Sequence, residues 1–130
     1  MTKKILCDTD FFVALLIADD TNNDKAMKII QKYSSWEFVY SNLTKYELMT
    51  VLSRKLDQKN AVKALNLFED TFQNMFEFDA LLESEIISFY KQSINKNQSF
   101  FDITCLIIAK KNNYKIASFD KFYPSDLLAN

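Results

Sequence analysis

Four acidic residues occupy positions from which their side chains could act together on a metal ion. Asp8 and Asp120 each directly follow a short hydrophobic segment that is typical of a buried strand. Glu47 falls in the first turns of a predicted helix, and Asp102 at the start of another that follows Ser99. In a parallel α/β sheet, the carboxyl ends of strands and the amino ends of the following helices lie on the same edge. We therefore expect these four carboxylates, which are distant in sequence, to converge in space.

Such a cluster of carboxylates is unfavourable without a cation. Two like charges about 4 Å apart repel each other by roughly 1 to 4 kcal/mol, and each raises the pKa of the other. Oxygen-only ligands suit Mg²⁺ or Mn²⁺. Such ions activate water and stabilise an in-line displacement at phosphorus, which requires no histidine.

Simpler interpretations exist for each acid alone. The segment Thr44–Glu47 matches a capping box, so Glu47 could cap a helix, and the segment Ser99–Asp102 admits the same interpretation. Asp8 and Asp120 could each begin a turn. The occurrence of all four together is what favours a site.

The composition excludes several other kinds of chemistry. The 130 residues include no glycine and no histidine. Glycine-rich phosphate loops, nucleophile elbows, histidine-dependent nucleophiles and His-containing zinc sites are therefore excluded. The formal net charge of -1 provides no overall basic field for nucleic acid, although a local lysine patch could still guide a backbone.

Length and hydropathy predict one domain over residues 1–130 in the cytoplasm, without a membrane segment. The three apolar residues before Asp8 are too few for a signal peptide, and the longest apolar run, Phe11–Ala18, is far below a membrane span. Cys7 and Cys105 each lie in an apolar run, which predicts buried free thiols and fits a reducing compartment.

Hydrophobic periodicity predicts strands that alternate with helices, and hence an α/β layer fold with a mostly parallel sheet. Asn112 or Asn113 is expected to have a positive φ, because Asn tolerates the left-handed conformation where glycine is missing. Polar loops are predicted at Asp19–Asp24 and Asn95–Ser99. The predicted strands are Ile5–Cys7, Trp36–Tyr40, Met75–Phe78 and Tyr114–Phe119, and the predicted helices cover Phe11–Ala18, Ala26–Tyr33, Ser41–Leu56, Ala61–Phe72, Leu82–Tyr90 and Phe101–Lys111.

Four segments carry a resemblance to the PIN-domain nucleases, and among them to the toxins of VapBC-type toxin–antitoxin pairs. Ile5–Asp10 resembles the opening strand and its acidic motif, and Ser41–Leu48 resembles the helix that bears a glutamate. Phe101–Ala109 and Ile116–Phe122 resemble the later aspartate helix and the closing strand. The segments occur in the family's order, and the resemblance covers nearly the whole chain.

The resemblance implies a PIN-like three-layer sandwich, with a mostly parallel four- to five-stranded sheet flanked by helices. It also implies an endoribonuclease that depends on Mg²⁺ or Mn²⁺ and cleaves RNA by metal-activated water, leaving a 5′-phosphate and a 3′-hydroxyl. A small antitoxin protein and a homodimer are the implied partners. The implied metal-binding and catalytic residues are Asp8, Glu47, Asp102 and Asp120.

The resemblance assigns supporting roles to Thr9, Asp10 and Ser118. Thr9 would support the site by hydrogen bonding, and Asp10 would do the same, since family proteins often carry Asn there. Ser118 replaces the more common Thr of the closing motif, and Lys121 stands where that motif has a second acid. Asn112-Asn113 replaces a glycine that the family often has.

Other functions remain open on the sequence alone. The motif Asp8-Thr9-Asp10 also resembles that of haloacid-dehalogenase-type phosphatases, in which Asp8 would be a nucleophile, and a receiver-like phosphoacceptor domain is similar in kind. A PIN-like domain that only binds, without catalysis, is a third alternative.

Contacts to RNA are predicted only weakly. Lysines beside the acidic edge could contact phosphates, although an isolated lysine is usually a solvated surface residue. Aromatic side chains near the motifs could stack on bases, but core packing is the favoured interpretation. The lysines are Lys45, Lys110 and Lys121, with Lys111 and Lys115 nearby, and the aromatic residues are Phe11, Phe12, Phe100, Phe101 and Tyr123.

Overall fold

The computed structural model describes residues 3–93 and 98–130. Most of the predicted polar loop Asn95–Ser99 lies outside the described residues. Within them, helices and strands alternate as expected. The elements are β1 (Lys4–Cys7), α1 (Thr9–Leu16), α2 (Asn23–Lys32), β2 (Glu37–Ser41), α3 (Asn42–Lys55), α4 (Gln58–Thr71), β3 (Met75–Phe76), α5 (Ala80–Gln92), α6 (Phe100–Asn112) and β4 (Lys115–Ala117).

The four strands form a parallel sheet in the order β3-β2-β1-β4. In the centre of this sheet, Leu6 of β1 pairs with Val39 of β2 on one side and Ile116 of β4 on the other. The chain moves outward from β1 to β2 and β3, and then crosses back to the far side of β1. This reversal creates a crevice at the carboxyl ends of β1 and β4, where ligands bind in open α/β sheets.

Each face of the sheet packs against its own set of helices. In β1, Ile5 and Cys7 point into a core shared with α1 to α4, whereas Leu6 points into a second core shared with α5 and α6. This division agrees with the usual right-handed crossovers, because connections in opposite directions place their helices on opposite faces. The expected three-layer α/β sandwich with a parallel sheet is confirmed.

Aromatic packing dominates the larger core. Phe11, Phe12 and Phe68 are fully buried, and the rings of Phe12 and Phe68 meet edge to face at 4.8 Å. Each fully buried Phe contributes about 1.5–3 kcal/mol relative to an exposed one. Phe11 and Phe12 are therefore core residues and are not available to stack on bases.

The closing strand is shorter than predicted for a reason that concerns the site. Tyr114–Phe119 was the predicted strand, but β4 ends at Ala117. The Ser118 hydroxyl and the Phe119 amide instead donate hydrogen bonds to the Asp10 carboxylate, at 3.3 and 3.0 Å. A partner that lies 108 residues away in sequence thus ends the strand.

Helix α5 buries a narrower stripe than its pattern indicates. Leu82 and Ile86 are buried, but Phe89 and Tyr90, predicted on the same face, are 38% and 56% exposed. Helix α5 packs mainly against α6. A single neighbouring helix covers two positions, one turn apart, and leaves the flanking aromatic residues in solvent.

Two smaller predictions, on Asn113 and on the cysteines, are confirmed. Asn113 ends α6 in the left-handed conformation, with φ of 56°. Cys7 and Cys105 are both buried free thiols. In the described part of the chain, the helices are too short or too polar to cross a bilayer.

Candidate metal centre

The structure brings the four predicted acids together at the crevice between β1 and β4. They line one cleft of about 330 Å³, to which Asp10 also contributes. Asp8 follows β1 directly, and Asp120 lies three residues after β4. Glu47 projects from the second turn of α3, and Asp102 from the first turn of α6. Asp20 lines the same cleft, and we refer to the cleft lined by these six acids as the acidic cleft.

Asp8 is the most buried acid and has the most partners. Its side chain is the N-cap of α1, where Oδ1 accepts a hydrogen bond from the Thr9 amide at 2.8 Å. Its Oδ2 accepts hydrogen bonds from the Tyr123 hydroxyl at 2.9 Å and the Ser118 hydroxyl at 3.2 Å. Asp8 therefore caps a helix, and its second oxygen is held in a fixed direction.

Asp10 is held by the loop that follows β4. Its Oδ2 accepts hydrogen bonds from the Ser118 hydroxyl and the Phe119 amide, while its Oδ1 is buried with no hydrogen-bond partner among the described residues. A buried oxygen without a partner is costly. A cation bound in the cleft would satisfy this oxygen.

Glu47 accepts a short hydrogen bond from the Thr9 hydroxyl. The capping-box interpretation of Glu47 is wrong, because α3 begins one turn earlier, with Ser41 as its N-cap. The side chain of Ser41 accepts from the Leu43 amide at 3.2 Å, so it satisfies the end of the helix without Glu47. Glu47 is thus free to face the cleft.

Asp102 and Asp120 also have local structural roles. A capping box at the start of α6 joins Asp102 and Ser99, with the Asp102 amide donating to the Ser99 hydroxyl at 3.1 Å. Asp120 is exposed, and its Oδ1 accepts from the Phe122 amide at 3.0 Å, as in a turn. Asp102 therefore caps a helix and Asp120 begins a turn, as the simpler interpretations predicted, and both residues also line the cleft.

Burial, followed by mutual repulsion, raises the pKa values of four acids in the cleft. Burial and then the charge of Asp10 raise the pKa of Asp8 from 3.8 to about 7, despite the hydrogen bonds that oppose this shift. Burial is also the main cause that raises the pKa values of Asp10, Glu47 and Asp102, with Asp120 adding to Asp10 and Asp102. A cation bound near these carboxyl groups would favour their ionised forms and lower their pKa values.

The donor set fits a hard divalent ion that keeps part of its water shell. In residues 3–93 and 98–130, no three acidic or thiol side chains lie close enough to hold an ion as they stand. Mg²⁺ commonly uses one or two carboxylates and completes its octahedron with waters and substrate phosphates. The carboxylate oxygens of the lining, the unpartnered Asp10 oxygen and the raised pKa of Asp8 agree with that mode of binding.

Two contributors to the site were not assigned there by the sequence reasoning. Tyr123 was considered only as a stacking or core residue, but it is buried and donates to Asp8. Lys55 lines the cleft together with Glu47 and Val51, which precede it on the same face of α3 at i, i+4 and i+8. That helical spacing from Glu47 is a signal that could have identified Lys55, whereas nothing local identifies Tyr123.

The lysines proposed from the sequence lie elsewhere. Lys45 pairs with Glu69 of α4 at 2.9 Å, and neither Lys110 nor Lys121 is part of the described lining of the cleft. Lys111 pairs with Glu85 of α5 at 2.7 Å.

Comparisons with known proteins agree with this architecture. A model of the PIN domain family matches residues 5–123. A comparison with curated protein sequences finds no significant match.

Several solved structures share the fold. The chain is similar to VapC20 of Mycobacterium tuberculosis, described as a sarcin-ricin loop cleaving toxin, with 24% identity, a TM-score of 0.79 and 91% coverage of each chain. It is also similar to VapBC2 of Rickettsia felis, whose structure was solved with a promoter DNA fragment, with 15% identity, a TM-score of 0.64, and coverage of 90% of this chain and 88% of that one. For PAE2754 of Pyrobaculum aerophilum the identity is 19%, the TM-score 0.63, and the coverage 92% and 81%.

The family match spans both aspartate-bearing strand ends and both acid-bearing helices. The chain belongs to the PIN domain family.

Proposed function

We propose that this chain is an endoribonuclease that depends on Mg²⁺ or Mn²⁺ and acts as the toxin of a VapBC-type pair. The observation that carries the proposal is the acidic cleft, in which six acids from five parts of the sequence line one cavity. The PIN family membership supports nuclease chemistry at this position.

Asp8, Glu47, Asp102 and Asp120 are the proposed metal ligands and catalytic residues. A divalent ion bound there would activate water and stabilise the charge that develops during displacement at phosphorus. The hydrogen bond from Thr9 orients Glu47, and the Ser118 hydroxyl lies within hydrogen-bond distance of both Asp8 and Asp10, which share its single proton.

Tyr123 and Lys55 have distinct proposed roles. The Tyr123 hydroxyl donates to Asp8 and so favours its ionised form at neutral pH. Lys55 lines the same cleft, where its ammonium group can contact a substrate phosphate. Neither residue needs to exchange a proton with the substrate for these roles.

The structural neighbours support the biological part of the proposal. VapC20 is described as a toxin that cleaves RNA of the sarcin-ricin loop, and VapBC2 as a toxin–antitoxin pair. By this likeness we propose an RNA substrate, products with a 5′-phosphate and a 3′-hydroxyl, a small antitoxin partner and a homodimer. The single domain, over residues 1–130, would act in the cytoplasm.

RNA cleavage by the purified protein tests the proposal. Wild type, Asp102→Asn and Asp70→Asn are incubated with total RNA in the presence of Mn²⁺ and, separately, EDTA. Asn keeps the shape of Asp102 and an oxygen for the Ser99 amide, so we expect a folded protein with at least about a hundredfold less cleavage. Asp70 is exposed on α4, outside the cleft, and its variant is the matched control with full activity.

Three outcomes would contradict the proposal. Full activity of Asp102→Asn would exclude the acidic cleft as the active site, and full activity in EDTA would exclude metal dependence. A wild type that cuts no RNA but hydrolyses a small phosphomonoester, with loss on Asp8→Asn and retention on Glu47→Gln, would instead indicate the phosphatase.

A further inference from the structure

A second cavity, of about 430 Å³, adjoins the acidic cleft and is formed mainly by α2 and the C-terminal segment. Ser118 and Phe119 belong to its wall. The same two residues donate hydrogen bonds to Asp10, so the cavity and the cleft are separated by a single layer of chain. A polymer that spans this layer of chain could contact the cleft and the cavity at once.

Three lysines of α2 form the rim of this cavity. Lys25, Lys28 and Lys32 are exposed and lie at i, i+3 and i+7 on one face of the helix, over a length of about 10 Å. The described lining contains no acidic side chain. Lys32 donates to the backbone oxygen of Asn130, a second residue of the lining.

The walls below the lysines are mostly apolar. Ile29 and Ala129 are buried, and Leu128 and Phe119 are partly exposed beside them. An apolar floor under a cationic rim matches the two parts of a nucleotide, because a base has a flat apolar face and its phosphate is an anion. We call this site, lined by Lys25, Lys28, Ile29, Lys32, Ser118, Phe119, Leu128, Ala129 and Asn130, the lysine-rimmed pocket.

We propose that the lysine-rimmed pocket binds a nucleotide of single-stranded RNA next to the phosphate that is cut in the acidic cleft. The inference rests on the proposed function. The lysines contact the backbone phosphates, and an unstacked base enters the apolar floor beside Phe119. The pocket thus adds three positive charges to the one that Lys55 supplies in the acidic cleft, in a chain whose overall net charge is -1.

Binding and cleavage of RNA by a triple variant test the pocket. Lys25, Lys28 and Lys32 are replaced together by Ala, and the matched control replaces Lys59, Lys63 and Lys91, which are exposed on α4 and α5 outside both sites. Both triples are charge-matched and remove only exposed groups, and thermal melting checks that both fold.

Binding is measured by fluorescence anisotropy, in the Asp102→Asn background that prevents cleavage. The probe is a labelled random-sequence single-stranded RNA of twelve nucleotides. We expect the triple variant of α2 to bind RNA at least about tenfold more weakly than the control. A plot of the logarithm of its association constant against the logarithm of salt concentration should have a slope smaller in magnitude by about 2. In the wild-type background, the KM for RNA cleavage should rise by a similar factor with kcat little changed.

The outcomes separate this inference from the proposed function. Equal binding, equal salt slope and equal KM in both triples would overturn the pocket and leave the nuclease intact. A wild type that neither binds nor cuts RNA would overturn the nuclease as well. Retained RNA binding by the α2 triple, with loss of binding to a labelled poly-glutamate peptide, would show that the pocket serves an acidic protein segment instead.

Discussion

At the residue scale, Asp8 shows how opposing effects are balanced in the cleft. Two hydrogen bonds, from the Thr9 amide and the Tyr123 hydroxyl, favour its ionised form. Burial and the neighbouring charge of Asp10 are larger effects, and the pKa of Asp8 consequently rises to about 7. The metal-free cleft is therefore a destabilising element of the fold, and a bound cation would relieve it.

The stability of the metal-free protein should fall as the pH rises from about 4 to 7. Folded Asp8 keeps a proton up to about pH 7, whereas the unfolded chain releases it near its ordinary value of 3.8. Stabilisation from this residue is therefore complete below pH 4 and lost above pH 7, which amounts to about 4 kcal/mol. Urea unfolding in EDTA across this range measures the trend.

Asp8→Asn is the control for this prediction. Asn carries no charge and still caps α1, so the variant should be more stable than wild type at pH 8 in EDTA and should lack most of the pH dependence. Mg²⁺ or Mn²⁺ should stabilise the wild type at pH 8 and affect the variant less. A wild type whose stability rises between pH 4 and 7 in EDTA would contradict this account of Asp8.

Tyr123→Phe should shift the pH profile of cleavage. The lost hydroxyl is a donor to the charged form of Asp8, so its removal raises the pKa of Asp8 and moves the acidic limb of the profile to higher pH. Hydrogen bonds to charged groups contribute about 1.5–3 kcal/mol, so activity near pH 6 should fall about tenfold.

Tyr46→Phe is the matched control, because Tyr46 is 60% exposed on α3. A Tyr123→Phe protein that loses stability but keeps the wild-type pH profile would show that the hydroxyl has only a structural role.

At the element scale, two helix starts place two of the acids. Ser41 caps α3 and Ser99 caps α6, and these caps set the turns from which Glu47 and Asp102 project. Both caps were predictable, because Ser at such positions satisfies free amides at a helix start. The capping box that the sequence suggested at Glu47 was not formed, since the helix begins earlier and leaves this side chain for Thr9.

Asn113 takes the left-handed conformation at the end of α6, a position where glycine is common. Its φ of 56° ends α6, and Asn tolerates this region better than other residues with a Cβ. Asn113→Ala should lower the free energy of unfolding by about 1 kcal/mol, and Asn113→Gly should leave it unchanged or raise it slightly. Chemical denaturation measures both. Equal stability of the Ala and Gly variants would contradict the positive φ.

The limits of prediction also lie at this scale. The sequence pattern, with turn signals to assign the wholly apolar Phe11–Ala18, predicted each strand and helix of the described residues, but it extended β4 through Ser118 and Phe119, which leave the sheet to bind Asp10. It also placed Phe89 inside, although α5 has little to pack against besides α6. In both cases the outcome depends on contacts between residues that lie far apart in the sequence, and local patterns carry no information about such contacts.

At the scale of the whole molecule, topology explains why a site could be predicted at all. The reversal of direction after β3 brings the ends of β1 and β4 side by side, and helices α3 and α6 begin at the same edge. The four acid-bearing segments therefore predicted a single cleft from their order in the sequence. The lysine-rimmed pocket was not predicted from the sequence. The spacing of Lys25, Lys28 and Lys32 indicates a site only once Phe119 and the C-terminal segment are seen to lie beside them.

Expression of the chain should arrest bacterial growth, because a toxin that cuts RNA halts translation. Asp8→Asn should relieve the arrest, and Asp70→Asn should not. Co-expression of a small protein encoded beside the gene should also relieve it. Optical density after induction measures all three, and a harmless wild type at normal expression would favour a PIN domain that only binds.

The most direct test of a metal-dependent nuclease in the acidic cleft is the mapping of RNA 5′-monophosphate ends in cells. RNA is collected shortly after expression of wild type or of Asp8→Asn at matched protein levels. We predict new 5′-monophosphate ends at a small set of sites in the wild type and their absence in Asp8→Asn. The same new ends in both samples, or none in either, would contradict the account.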